Sequence, residues 1–169
     1  EPYKLFSISN GFIDTIYLVD SLQGLLSIQY DTSTQEIISP WTINIPQTNT
    51  NVNGNTTITR NLIDASYNGT NFIVAFDETV VIAGTGGSTT QNDTVYMGNT
   101  LNNLSPFSPQ SGSGLTGTQY TNTGVALSID YIDISTSGDT LISINGTIYV
   151  RQNSENTYNI GNITGGPMN

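Results

Sequence analysis

The clearest pattern in the chain is alternation. Over residues 141–151, Ile142, Ile144, Gly146, Ile148 and Val150 fall on one face, and Ser143, Asn145, Thr147, Tyr149 and Arg151 on the other. A period of two with one apolar side is that of a half-buried β-strand. Residues 124–134 behave likewise, with Val125, Leu127, Ile129 and Tyr131 set against Ala126, Ser128 and Asp130. Further strands are predicted over 3–9, 12–20, 24–30, 36–45, 57–64, 71–76, 78–83, 93–98 and 157–163. No stretch carries helical periodicity, and 20 Ile, 8 Val, 9 Tyr and 25 Thr give the chain a strand-forming composition. About ten short strands predict an all-β fold, a β-sandwich of two packed sheets with Greek-key or jelly-roll connections.

Turn chemistry punctuates this pattern. Asn68-Gly69 and Asn10-Gly11 are candidates for tight hairpins. Three stretches read as loops: 46–56, 84–92 and 105–124. The last is long enough to be functional rather than a simple connector. No repeat and no composition shift divides the chain, so one sandwich domain is expected over 11–169, preceded by a strand-forming segment at 1–10.

Composition narrows the chemistry. The 169 residues include no Cys and no His. Disulfides, thiolate metal sites, cysteine catalysis and the commonest general base are therefore absent. Only 9% of residues are charged, against roughly 25% in a typical soluble domain. Thirteen are acidic and three basic (Lys4, Arg60, Arg151), for a net charge of −10. Nucleic acid would be repelled. Solubility falls to neutral groups, with 25 Thr, 20 Asn and 17 Ser. Hydroxyls and amides stay solvated in acid, where carboxylates become neutral and ion pairs are lost. That suits an acidic habitat, and equally an ordinary secreted β-protein. The chain starts at Glu1 without a basic and apolar leader, as a mature exported protein would after signal-peptide removal. No run of 18 apolar residues is present, so membrane insertion by a helix is not expected.

Candidate sites are sparse. Six Asn-x-Ser/Thr sequons occur, at Asn55, Asn68, Asn92, Asn103, Asn145 and Asn162; they are candidate N-glycosylation sites on polar faces and loops. Composition alone would produce about five, so their placement says more than their number. The carboxylate pairs Asp130/Asp133 and Asp77/Glu78 are the candidate acid–base partners. The first falls on opposite faces of one strand and the second reads as a turn, so no catalytic residue and no enzyme activity is expected. Asp14, Asp20 and Asp31 offer oxygen ligands without EF-hand or repeat-type calcium spacing, so no metal or cofactor is assigned. Trp41 is expected in the core or at a strand edge; exposed, it would suit sugar stacking.

The first ten residues, EPYKLFSISN, form the sharpest candidate. Lys4, Phe6 and Ile8 alternate with Tyr3, Leu5 and Ser7. Such a terminal strand either pairs at home through the Asn10-Gly11 turn or completes a neighbour's sheet. The whole chain, with its donor-like EPYKLFSIS strand, absent Cys, His and helix, and Thr/Asn/Ser/Ile/Tyr-rich strands with sequons, resembles the thread-type extracellular filament subunits of thermoacidophilic archaea. That resemblance implies a homopolymer of identical subunits joined head-to-tail by N-terminal donor-strand complementation, with N-glycans covalently attached and a role in adhesion or surface coating. It makes Tyr3, Leu5, Phe6 and Ile8 the donor-strand interface and the six Asn the glycan sites. It rests on composition and organisation, without a diagnostic motif. A jelly-roll capsid or virion surface protein and a secreted carbohydrate-binding module are the alternatives.

Overall fold

A computed structural model describes residues 1–106, 129–144, 147–151 and 159–160. It is all-β, with no helix among the described residues. The strands form three antiparallel sheets. The first holds β1 (Pro2–Asn10), β2 (Ile13–Asp20) and β3 (Gly24–Asp31), with β4 (Glu36–Ile37) and β5 (Thr42–Pro46) sharing the far edge of β3. The second runs β6 (Thr48–Asn53), β7 (Thr56–Tyr67), β8 (Phe72–Ile82), β9 (Ser88–Gly98) and β10 (Ser105–Pro106). The third runs β11 (Ile129–Ile134), β12 (Thr140–Ile144), β13 (Thr147–Arg151) and β14 (Asn159–Ile160).

The sandwich therefore has three layers rather than two, and β8 shows why. Phe72, Val74 and Phe76 point to one side, into a core with Val19, Leu25, Leu62 and Ala65. Ile73 and Ala75 point to the other, into a core with Val95, Ile129, Ile132, Ile134 and Ile142. All five residues 72–76 are buried, which is what an unbroken apolar run in a strand signifies: cover on both faces. The second sheet is the middle layer.

Connections also differ from the expected Greek-key or jelly-roll pattern. Strands adjacent in sequence pair with each other, so each sheet is a meander, the β3–β5 pairing aside. Short hairpin turns dictate this. The first closes Asn10 onto Ile13 with Gly11 at φ 67° and Phe12 at its tip. A positive φ at the first loop position matches the twist of the flanking strands and is available to Gly at no steric cost.

Several strand boundaries are corrected. The 78–83 and 71–76 strands are one, so Asp77-Glu78 lies in mid-strand and is no turn. The predicted 46–56 loop contains β6, and the 84–92 loop shrinks because β9 begins at Ser88. The predicted 36–45 strand breaks into β4 and β5 around Pro40, which has no N–H for a ladder. The single strand expected over 141–151 is a hairpin, with Ile144 paired to Thr147. Most of the 105–124 stretch lies outside the described residues.

Candidate functional site

The first strand is where sequence and structure converge on a possible site. β1 is an edge strand hydrogen-bonded to β2 in register Phe6↔Tyr17, Leu5↔Leu18 and Ile8↔Thr15. Its alternation is real: Lys4, Phe6 and Ile8 turn inward, while Leu5 is 65% exposed. Phe6 stacks on Tyr17 with ring centroids 5.1 Å apart and meets Phe72 of the middle sheet edge-on at 6.4 Å. Tyr17 in turn meets Phe72 at 5.5 Å. Of the four proposed donor plugs, then, Phe6 and Ile8 fill this chain's own core, and Leu5 and the ring of Tyr3 lie on the outside.

Sequence reasoning passed over the residue to which β1 is anchored. Asp64 is 1% exposed and sits where the β7–β8 register slips between Leu62 and Asp64. The slip makes Ile63 a bulge, and bulges re-aim side chains. Leu62 and Ala65 consequently both face the first sheet, and Asp64 turns toward β11. Its Oδ1 accepts from the Ala65 N–H at 2.8 Å and its Oδ2 from the Ile132 N–H at 2.9 Å. Lys4 Nζ donates to Oδ2 at 3.1 Å and to the Ile132 carbonyl at 2.6 Å, and lies 4.5 Å from the centre of the Tyr131 ring. The Tyr3 hydroxyl donates to the Ile63 carbonyl freed by the bulge. Burial pushes the Asp64 carboxyl above its usual range, against the opposing pull of Lys4 and the two N–H groups. All three sheets meet here. The available signal was an acidic residue inside the apolar run Leu62–Ala65.

Next to this point, Asp133 accepts from Ser66 Oγ and from the Tyr131 hydroxyl. Burial opposes its charge, yet these bonds, the Ile134 N–H and nearby Lys4 hold it below the usual range. A second acidic group lies across β8 and β9, where Asp77 pairs directly with Asp93. Burial, opposed by the Ile129 N–H, and then the charges of Asp77 and Asp130 push Asp93 up to about 6. Arg60, Glu78 and Tyr96 form a closed triangle of hydrogen bonds at 2.6, 2.9 and 3.0 Å. It borders a cleft of about 230 Å³ that Asn44, Phe76 and Leu101 also line.

Asp14, Asp20 and Asp31 do not converge. Asp20 caps its own turn through Leu22 and Gln23, and Asp31 caps Ser33 and Thr34. No group of three acidic side chains placed to hold a metal occurs among the described residues. Trp41 is not in the core; it is 48% exposed just before edge strand β5. Among the sequons, Asn55 and Asn103 are exposed, and Asn68 is half-buried with its Oδ1 accepting from the Thr70 and Asn71 N–H groups. Asn92 lies on β9, and Asn145 and Asn162 fall outside the described residues.

The face of the first sheet turned away from the second sheet also carries apolar side chains, of which Leu26 and Ile28 are buried and Leu5 and Ile43 exposed. Register places Leu5, Leu18, Leu26 and Ile43 in one row across four strands, with Ile16 and Ile28 in the next. No family model matches the chain, and no curated protein or solved structure matches it.

Proposed function

We propose that this chain is a structural subunit of an extracellular filament, without catalytic activity, that polymerises head-to-tail by exchange of β1 and serves adhesion or surface coating. The observation that carries the reading is the position of β1. It lies at a sheet edge and pairs only with β2 among the described residues, yet it supplies Lys4, Phe6 and Ile8 to the interior. A strand placed so can leave through its hairpin and make the same ladder with β2 of the next copy. The Phe6–Tyr17 stack and the Lys4–Asp64 pair are then restored between subunits. Each transfer is heterologous and leaves one free strand and one open groove, so the contact propagates as a filament. The two-residue turn at Gly11-Phe12 is the hinge that must straighten. Leu5 and Ile43, exposed on the outer face of the first sheet, support packing between copies, and Asn55, Asn68 and Asn103 are reachable positions for glycans.

Electron microscopy of purified material, with and without residues 1–10, tests this. The full chain is expected to form filaments. The truncated chain is expected to bind a synthetic 1–10 peptide and remain monomeric. Filaments that grow normally without residues 1–10 would overturn strand exchange. Closed shells would favour a virion protein, and a monomer that binds immobilised glycan through Trp41 a carbohydrate-binding module.

A further inference from the structure

We propose that Lys4 and Asp64 condense to an amide that ties β1 covalently to β7, with the fold supplying both reacting groups and holding them in contact. An ordinary ion pair between mobile side chains would lie at the surface. This one is enclosed: Asp64 is 1% and Lys4 15% exposed by side chain, with Nζ 3.1 Å from Oδ2. Among the described residues, the Ile132 backbone and the Tyr131 ring lie against it.

The chemistry balances without a co-reactant. A proton passes from the ammonium to the carboxylate along the existing hydrogen bond, giving a neutral amine and a neutral acid, the pairing that a buried site favours over two charges. The Nζ lone pair then attacks Cγ. Negative charge gathers on Oδ1, where the Ala65 N–H already donates at 2.8 Å and stabilises the tetrahedral intermediate as an oxyanion-hole donor does. Oδ2, which takes the proton, accepts from the Ile132 N–H at 2.9 Å. The Ile132 carbonyl, 2.6 Å from Nζ, fixes the direction of one amine proton. The N–Cγ bond forms and one C–O bond breaks. That oxygen leaves as water, carrying the acid proton and one amine proton; nothing is oxidised or reduced. Two groups fixed in contact react at effective molarities of about 10⁵–10⁸ M, which overcomes the bias toward hydrolysis in water.

The Asp133 carboxylate and the Tyr3 and Tyr131 hydroxyls are the other titratable groups beside the pair. What selects Asp64 is contact: Lys4 Nζ donates to its Oδ2, while the Asp133 oxygens accept from Ser66, Tyr131 and the Ile134 N–H. An amide here would secure the strand that the ladder alone holds at its edge, and would outlast acid and heat that dissolve an ion pair.

The inference does not depend on the filament reading. With β1 at home the bond lies within one chain; with β1 exchanged it joins neighbours. Denaturing intact-mass spectrometry, followed by digestion and tandem sequencing, tests it. The expected result is a species one water lighter than the 18.1 kDa chain and a branched peptide joining Lys4 to Asp64. A chain beginning at Glu1 also loses water if that residue cyclises, so Lys4→Arg and Asp64→Ala are run beside it. Both are expected at full mass at this site, and Lys4→Arg keeps the charge that Asp64 needs to fold. A wild-type chain without the branched peptide, or one that loses no more water than Lys4→Arg does, overturns the proposal. On a denaturing gel, a ladder of multimers marks bonds between chains; a monomer band whose intact mass is one water short marks a bond within one. A monomer carrying the bond keeps this inference and removes strand exchange.

Discussion

Asp93 stands opposite Asp77 on neighbouring strands, and the burial and like charge that raise it to about 6 have a consequence for stability. Its folded value exceeds the ordinary 3.8. Between those two values the native state binds a proton that the unfolded chain does not, so stability grows as pH falls through that window. Asp64, also raised, acts in the same direction. Asp20 and Asp31 are lowered by the turn N–H and hydroxyl groups they accept from, and Asp133 is lowered too. Their contributions are lost only as pH drops below the ordinary carboxylate value. Thermal melts should therefore show the midpoint rising from about pH 7 to about pH 5. Asp93→Asn should be more stable than the parent near neutrality and should flatten that rise. A midpoint that falls steadily with acid would contradict this account. None of it was legible from the residues alone: Asp93 went unremarked because its partner Asp77 is 16 positions away and was read as a turn.

At the scale of elements, local signals carried most strands and failed where pairing decides. β1 follows its alternation closely, and β2 and β3 fall within a residue of the predicted bounds. The 141–151 segment alternates equally well, yet it is two strands. The Asn145-Gly146 dipeptide at its centre is a strong hairpin signal that the unbroken alternation masked. β6, Thr48–Asn53, is exposed throughout and polar but for Val52, so little in its side chains announces a strand; its pairing with β7 makes it one. Such a polar edge also discourages unwanted pairing. Close approach governs the start of β3. Gly24 sits at φ 100°, and a Cβ there would lie 2.1 Å from the Ile45 carbonyl oxygen of β5. Gly24→Ala should destabilise the fold by about 2–3 kcal/mol, from strain plus displacement of the edge strand. The midpoint of urea unfolding measures it; an unchanged midpoint would mean that β5 does not pack there.

For the molecule as a whole, charge is scarce and one-sided. The two described side-chain ion pairs, Lys4–Asp64 and Arg60–Glu78, are partly or wholly enclosed, which shields them from salt. The 13 carboxylates repel one another across the surface. Added salt at neutral pH should accordingly raise the melting midpoint. The effect should fade near about pH 3, where the carboxylates are protonated. A drop in the midpoint with salt would show that exposed ion pairs matter more than the fold indicates. The same scarcity of charge leaves apolar burial between three layers as the principal adhesive, with Phe6, Tyr17 and Phe72 knitting the first two sheets.

The sequence by itself determined the all-β class, the absence of Cys and His chemistry, and the alternating character of the first strand, because these follow from composition and from a period of two that each strand carries alone. What only the tertiary structure decided was the number of layers and the anchorage of β1. Whether an apolar run is covered on one face or two depends on which sheets stack against it. The partner of Lys4 depends on a one-residue slip in β7 that turns Asp64 across 60 positions of sequence toward it. Strand periodicity records which side chains share a face, and it is silent about what that face meets.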